Sequence, residues 1–178
     1  YHGTVVADNG GMPSLNTDRY GNLNSAYYFN HGGGIQLPHE VMDSMGDFTV
    51  SIWVKTSADE AGIISGANAG EDNEFLVLNR TSSPYASLKG GKIYLHRYND
   101  NLWHHLLFSR TNSTGEMNVY IDGELKFFAN LDTGLLQIDS NGLWLGRDQD
   151  QVGSNFESHQ ELTGFLDDVA FYDFAMDS

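Results

Sequence analysis

Short runs that mix apolar and polar residues recur along the chain. Residues 48–55 (Phe-Thr-Val-Ser-Ile-Trp-Val-Lys) are rich in β-branched and aromatic side chains and alternate in part, as a half-buried strand does. Only residues 38–45 are suited to a short helix. Similar runs follow with turn residues between them: 62–65, 74–78, 92–97, 103–110, 117–122, 124–129, 143–145 and 162–172. Roughly a dozen strands at this spacing predict an all-β fold, an antiparallel β-sandwich jelly roll.

Turn residues strengthen this prediction. Asp122-Gly123 separates two of the strand-like runs, which is a strong hairpin signal. Asn141-Gly142 and residues 112–115 are further candidate turns, and Gly32-Gly33-Gly34 predicts a loop. Because the sequence shows no internal repeat and no linker, we expect one domain spanning residues 1–178. Its opening residues carry no signal peptide, which is compatible with a segment cut from a longer protein.

Composition narrows the possible partners. The 178 residues carry 9 Lys and Arg against 24 Asp and Glu, a net charge of −15. A surface this acidic repels phosphate backbones and favours cations, so we expect no nucleic-acid partner. No apolar run approaches the roughly 20 residues of a membrane span, so we expect no membrane insertion. The absence of Cys excludes disulfides, thiolate metal sites and a Cys nucleophile.

Signatures of catalysis are absent from the sequence. It has no G-x-S-x-G elbow, no H-E-x-x-H and no P-loop. It also lacks the Glu-x-Asp-x-x-Glu run of sandwich glucanases. Asp167-Asp168 and His104-His105 are neighbours within strand-like runs, so their side chains should point to opposite faces and cannot act as pairs. We therefore expect a protein that is not an enzyme.

Two clusters of oxygen-bearing side chains are the informative part of the sequence. Residues 146–160 include four side chains of the kind that hard cations prefer, namely Asp148, Asp150, Glu157 and Gln160. A second cluster lies at 71–74. Loops supply calcium geometry well because they can also turn main-chain carbonyls inward. The alternative is that both clusters are solvated acidic loops, which are common in so acidic a chain.

These clusters carry a family resemblance that spans nearly all of the chain. The motifs Gly146-x-Asp148-Gln149-Asp150 and Gly153-x-Asn155-Phe156-Glu157-x-x-Gln160 resemble the calcium loop of pentraxins. Asp72-Asn73-Glu74 is similar to the other half of the pentraxin calcium site. The hairpin 120–123 resembles one shared with laminin-G-like jelly rolls, and the N-terminal half is similar to bacterial laminin-G-like modules. The resemblance implies a concanavalin A-like sandwich of the lectin/glucanase type.

The resemblance also implies a ligand set for one or two Ca²⁺ ions. The first ion would be bound by Asp72, Asn73, Asp148, the main-chain carbonyl of Gln149, and Asp150. The second would share Asp148 and Asp150 and add Glu157 and Gln160. Two departures from the family are visible: Asp148 replaces the usual Glu, and Ser51 and Leu107 occupy the likely positions of the family's disulfide.

The expected function is that of a calcium-dependent, lectin-like module. Its ligand would be a glycan or another molecule rich in hydroxyl, carboxylate or phosphate oxygens. Asn79, Tyr85 and Lys92 are candidate rim residues, since they belong to the strands that follow Asp72-Asn73. We expect an adhesin module at the cell surface or outside the cell. Two alternatives stay open, a carbohydrate-active enzyme or its accessory module, and a structural domain that calcium stiffens. The sequence leaves the oligomeric state open.

Overall fold

Strands dominate the structure, a computed structural model that describes residues 2–176. The protein is 51% strand and 3% helix. Two short 3₁₀ turns, His39–Val41 and Ser158–Gln160, supply the helical part. The strands of the described residues are β1 Thr4–Val6, β2 Ser14–Asn16, β3 Ala26–Asn30, β4 Gly34–Leu37, β5 Phe48–Thr56, β6 Glu60–Asn68, β7 Glu71–Arg80, β8 Tyr85–Leu88, β9 Gly91–Tyr94, β10 His104–Thr111, β11 Glu116–Ile121, β12 Glu124–Asn130, β13 Leu143–Leu145 and β14 Thr163–Tyr172.

The strands form two antiparallel sheets of seven strands each. Sheet 1 has the order β1-β4-β13-β6-β7-β8-β9, and sheet 2 has the order β12-β11-β10-β5-β14-β3-β2. Neighbours in sheet 1 are often distant in sequence, because β13 is inserted between β4 and β6. Such long-range pairing is typical of a jelly roll. The predicted all-β sandwich is therefore confirmed.

Alternation along the central strands builds the core between the sheets. In β5 the residues Phe48, Val50, Ile52 and Val54 are completely buried, while Ser51, Trp53 and Lys55 between them are partly exposed. Phe75 of sheet 1 lies edge-on against Phe48, with ring centres 5.4 Å apart. Each such buried side chain stabilises the fold by about 1.5–3 kcal/mol relative to its exposed state.

Most of the predicted elements are present in the structure. The Asp122-Gly123 hairpin joins β11 to β12, with φ of 54° and 81° as a type I′ turn requires. A short helix is predicted within residues 38–45, and the structure has a 3₁₀ turn there that covers only His39–Val41. The strand predicted over residues 92–97 is shorter in the structure, where it ends at Tyr94. Strands β1 to β4 and β8 were not predicted, because these pieces of 3–5 residues are too short for a clear period.

The two positions at which the resemblance places a disulfide lie on neighbouring central strands. Ser51 of β5 stands directly opposite Leu107 of β10. The Ser51 hydroxyl also contacts His105 Nε2 at 2.7 Å. The two residues are therefore cross-strand neighbours in sheet 2, as the resemblance implies.

The segment 146–162 crosses the face of sheet 1 that points away from the core. Leu76, Leu78 and Tyr85 form a small buried cluster on that face, separate from the main core. The segment lies so close to β6 that a Cβ on Gly62 would come within 2.4 Å of the backbone of Arg147 and Asp148. This contact fixes where the oxygen-rich loop lies. No helix among residues 2–176 has the length and apolar character needed to cross a membrane.

Candidate functional site

Backbone hydrogen bonds close the 146–162 segment into a compact loop. The Leu162 amide donates to the Gly146 carbonyl at 2.8 Å, which joins the two ends of the loop. Gly153 and Asn155 adopt positive φ of 65° and 53°. Gly and Asn tolerate this conformation better than other residues, which explains their presence in the turn. The loop is therefore folded on itself and offers its side chains from a fixed base.

Gln149 anchors the beginning of the loop to sheet 1. Its buried side-chain amide donates to the carbonyls of Ser65 and Gly142 at 3.1 and 2.8 Å. Its side-chain oxygen accepts a hydrogen bond from the Gly153 amide at 2.8 Å. The side chain of Gln149 is thus fully used in holding the loop. The main-chain carbonyl is the group that this residue can offer to a cation.

Asp148 is a carboxylate buried beside the loop base. It is only 6% exposed, and its Oδ1 accepts a hydrogen bond from the Gln149 amide at 2.9 Å. Burial, reinforced by the charges of Asp150 and Asp72, raises the pKa of Asp148 to about 7. The carboxylate form at this position therefore lacks a compensating positive charge, which a bound cation would supply.

Asp150 is more exposed than Asp148, but negative charges nearby also raise its pKa. Its pKa is raised first by burial and then by the charges of Glu157 and Asp72. Asp72 belongs to the 71–74 cluster, and its charge raises the pKa of both Asp148 and Asp150 in the other cluster. The two clusters found in the sequence therefore lie within electrostatic range of each other. Four carboxylates, those of Asp72, Asp148, Asp150 and Glu157, contribute to one negative region.

The second cluster lies at the hairpin between β6 and β7. The Asn68 side chain caps this turn, accepting hydrogen bonds from the amides of Gly70 and Glu71 at 2.8 and 3.0 Å. Asn73 Nδ2 donates to Asp72 Oδ1 at 2.8 Å, so the Asn73 side-chain oxygen is the acceptor it can offer. A groove of about 520 Å³ separates this turn from residues 150–154, with Asp72 and Asp150 on opposite sides.

Gln160 and Glu157 are the remaining candidate calcium ligands, and they lie near the end of the loop. The side-chain oxygen of Gln160 is buried and accepts no hydrogen bond. Glu157 is half exposed, with one carboxylate oxygen 3.3 Å from His159 Nε2. A buried acceptor without a donor costs about 1–3 kcal/mol unless another partner satisfies it.

These observations fit a hard cation that binds through oxygen atoms. The unpaired Gln160 oxygen, the buried Asp148 carboxylate and the repelling charges around the groove would all be relieved by such an ion. Among residues 2–176, however, no group of three or more His, Asp or Glu side chains converges closely enough to hold a metal ion. The loops thus bring the donors to one region without closing them into a coordination sphere.

Two of the three predicted rim residues lie together near this region. Lys92 Nζ is 4.4 Å from the centre of the Tyr85 ring, and the Tyr94 ring lies 6.2 Å from that of Tyr85. The pKa of Tyr85 is raised by burial and then by the charge of Asp148. Tyr85 therefore lies within electrostatic reach of the candidate cation site.

Asn79 does not belong to the rim. Its side chain is completely buried, and its Nδ2 donates to the Ala58 carbonyl at 2.6 Å. Leu78 faces the outer cluster with Tyr85, so Asn79, one position further along the strand, points to the opposite side of sheet 1. The assignment of Asn79 as a ligand-contacting residue is therefore corrected.

Arg147 is the important residue that the sequence analysis does not identify. It is 1% exposed and lies directly before Asp148, at the base of the loop. Its guanidinium pairs with the carboxylates of Glu161 and Asp8 at 2.5 and 2.6 Å. The Gly-Arg-Asp sequence carries no recognisable motif for such a role, because both partners are distant along the chain.

The fold agrees with the family to which the chain belongs. The model of the Concanavalin A-like lectin/glucanases superfamily matches residues 29–178. The chain is therefore a member of that superfamily. This type of fold is associated with carbohydrate binding.

Relatives and solved structures support the same assignment. Rabbit (Oryctolagus cuniculus) C-reactive protein is 26% identical over 147 residues, which are 80% of this chain and 65% of that protein. The rat (Rattus norvegicus) "Sushi, von Willebrand factor type A, EGF and pentraxin domain-containing protein 1" is 28% identical over 148 residues, 80% of this chain and 4% of that protein. The chain thus spans less than two thirds of either relative. The pentraxin resemblance is confirmed.

A carbohydrate-bound domain has the same fold. Domain 4 of AbnA, a GH43 extracellular arabinanase from Geobacillus stearothermophilus, was solved in complex with arabinotriose. It superimposes with a TM-score of 0.66 at 22% sequence identity, covering 98% of this chain and 84% of that chain. At this level of identity the likeness concerns the fold.

Proposed function

We propose that this domain is a calcium-dependent, lectin-like binding module. It would bind one or two Ca²⁺ ions between the β6–β7 hairpin and the 148–160 loop, and its ligand through those ions. The observation that carries this proposal is the buried carboxylate of Asp148, which is 6% exposed, in a loop whose Gln160 side-chain oxygen is also buried and accepts no hydrogen bond. Burial raises the pKa of Asp148 to about 7, so without a positive partner this carboxylate takes up a proton, and a divalent cation would replace that proton.

The residues divide into two donor sets. Asp72, Asn73 and the Gln149 carbonyl would serve one ion, and Glu157 and Gln160 would serve the other. Asp148 and Asp150 would be shared between the two ions, as the resemblance to pentraxins implies. Calcium supplies a positive charge and open coordination positions for ligand oxygens. The protein itself would hold its oxygen acceptors around the groove. It would also keep other hydrogen-bond donors away from the buried acceptors.

The ligand class follows from the charge of the groove and from the relatives. The groove is acidic, so an anionic ligand would be attracted only after a divalent cation reverses the local charge. A neutral sugar would instead offer adjacent hydroxyls. The arabinotriose complex of the arabinanase domain supports a glycan ligand on this fold. Tyr85 and Lys92 form the neighbouring rim and would contact the part of the ligand that extends beyond the ions.

The domain would act without catalysis, at the cell surface or outside the cell, and an adhesin is the proposed parent protein. Two of the matched curated relatives are a C-reactive protein and a pentraxin domain-containing protein. A second candidate follows from the arabinanase neighbour, in which the matching unit is one domain of an enzyme. In that case the module would hold the substrate of a catalytic domain elsewhere in the same protein.

A glycan array with and without calcium tests the proposal. The wild-type domain should bind a subset of glycans in millimolar calcium and none in EDTA, and Asp148→Asn should abolish binding while the fold persists. The matched control is Asp173→Asn, which changes an exposed carboxylate outside the loop. Equal binding in EDTA would mean that another face of the sandwich holds the ligand. Hydrolysis of a bound glycan would instead favour an enzyme.

A further inference from the structure

Arg147 connects the two ends of the candidate calcium loop. Its guanidinium contacts the Glu161 carboxylate at 2.5 Å, and both side chains are buried. The same nitrogen contacts the Asp8 carboxylate at 2.6 Å. Arg147 precedes the first candidate ligand of this loop, Asp148, and Glu161 follows the last one, Gln160. The ion pair therefore spans the whole candidate ligand segment.

The same guanidinium also holds the middle of the loop. Its Cζ lies 3.6 Å from the centre of the Phe156 ring, which is within the range of a strong cation–π contact. Phe156 in turn packs edge-on against Trp144 of β13, with ring centres 5.0 Å apart. Because Phe156 immediately precedes Glu157, this contact restricts where the Glu157 backbone can lie.

Glycines on two strands provide the space for this arrangement. A Cβ on Gly34 of β4 would lie 2.8 Å from Arg147 Cδ. A Cβ on Gly62 of β6 would lie 2.4 Å from the Arg147 carbonyl carbon. The buried arginine is therefore accommodated by the sheet beneath it, and a larger residue at either glycine would displace it.

We propose that Arg147 is a positioning residue that holds the 148–160 loop in its cation-accepting conformation before calcium arrives. This inference rests on the proposed calcium-dependent function. A loop that is ordered in advance loses less conformational entropy when the ion binds, so its affinity is higher. Arg147 contributes nothing as a ligand, because a guanidinium has no acceptor.

A purely electrostatic role and a positioning role of Arg147 predict opposite changes in calcium affinity when Arg147 is removed. A positive group close to a calcium site opposes the ion, so its removal should strengthen calcium binding. Removal of a group that orders the ligands should weaken binding, by about 10- to 100-fold for an outer-shell partner. The sign of the change in affinity therefore separates a positioning role from a purely electrostatic one.

The experiment compares Arg147→Met with Arg110→Met. Arg110 is equally buried, but its hydrogen bonds go to the carbonyls of Gly46, Asp132 and Gly134 instead of to the loop. Both variants should lower the melting temperature. Calcium affinity is measured by titration calorimetry at a temperature where each variant is folded. Hydrogen exchange of the 148–160 amides is measured in EDTA, which gives a readout that needs no bound ion. Arg147→Lys replaces Arg147→Met if the latter fails to fold.

The expected result is specific to the loop. Arg147→Met should weaken calcium binding at least about tenfold and accelerate exchange of the 148–160 amides, while Arg110→Met should leave both unchanged. Unchanged or tighter calcium binding by Arg147→Met would overturn the positioning role and leave the proposed function intact. Wild-type protection of the loop amides in Arg147→Met would have the same meaning. A wild-type domain that binds no calcium would overturn the proposed function and the positioning role together.

Discussion

The ammonium of Lys92 lies 4.4 Å above the centre of the Tyr85 ring, on the outer face of sheet 1. Tyr85 is only 8% exposed, in part because this lysine covers it. The pair places a positive charge and an aromatic surface beside an acidic groove in a chain that has only 9 Lys and Arg residues. Because Lys92 lies over the ring, a ligand on this face would meet Lys92 before the aromatic ring.

Replacing Lys92 by Ala should change which glycans bind. Acidic glycans should lose about 3- to 10-fold in affinity, because the lysine attracts their carboxylates, whereas neutral glycans should change little. Isothermal titration with one acidic and one neutral glycan selected from the array measures the difference. Lys126→Ala on β12 of sheet 2 is the control. An equal loss for both glycans would mean that Lys92 acts by packing instead of by charge.

Calcium should raise the melting temperature of the domain. An ion that binds only the folded state stabilises it by about 2.7 kcal/mol when its concentration is 100 times the dissociation constant. Asp150→Ala should remove most of this increase, since Asp150 is proposed to bind both ions. Differential scanning fluorimetry in EDTA and in millimolar calcium measures the shift, with Asp173→Asn as the control. Identical melting curves in the two buffers would indicate that the acidic loops are solvated surface.

In the calcium-free domain, Asp148 should contribute a loss of stability as the pH rises from about 4 to about 7. The pKa of Asp148 is about 7 in the folded protein, above the ordinary value of 3.8. Between these two values the folded state binds more protons than the unfolded state, so the free energy of unfolding falls as pH increases. The loss attributable to Asp148 is on the order of 4 kcal/mol.

Asp148→Asn isolates this effect. In EDTA at pH 8 the variant should melt at a higher temperature than the wild type, because an amide at this position has no charge to bury. In calcium at the same pH the order should reverse. Urea denaturation across pH 4–8 measures both. A variant that is less stable than the wild type in EDTA at pH 8 would contradict the assignment of a destabilising buried charge.

A disulfide should form if Cys replaces both Ser51 and Leu107. These residues are directly opposite on β5 and β10, which suits a cross-strand bridge. A loop of ~55 residues gives up to about 4 kcal/mol in the chain-entropy treatment. Loss of the contact between Ser51 and His105 would offset about 1 kcal/mol of it. Thermal unfolding with and without a reductant measures the gain, and Leu107→Cys alone is the control. Free thiols in the oxidised double variant would show that the register differs.

The fold was predictable because local patterns and the global fold agree. Residues 48–55 alternate between the core and the outer face, and Asp122-Gly123 supplies the positive φ values of its turn. The orientation of β7 was harder to predict. Residues 75–78 are continuously apolar because one side of the strand faces the core and the other faces the outer cluster. Such a run does not define which side of the strand faces the core, so the sequence does not reveal that Asn79 is buried and cannot serve as a rim residue.

The oxygen-bearing residues of the candidate loop could be named from the sequence, but the long-range contacts of Arg147 at its base could not. Asp148, Asp150, Glu157 and Gln160 lie within one short segment whose spacing resembles a known calcium loop. The partners of Arg147 are recognisable only in three dimensions, because Asp8 is 139 positions away. Long-range ion pairs of this kind leave no periodic pattern in a single sequence.

The contacts that join the first residues of the chain to its last third also bear on the order of folding. Arg147 meets Asp8 across 139 positions, Arg19 meets Asp167 across 148, and Asn9 meets Glu161 across 152. Contacts between such distant parts of a chain form late and slowly, because most of the intervening chain must first be ordered. The 146–162 loop would therefore gain its final shape near the end of folding. Residues 2–28, which precede the segment matched by the family model, would then control when this loop becomes ordered.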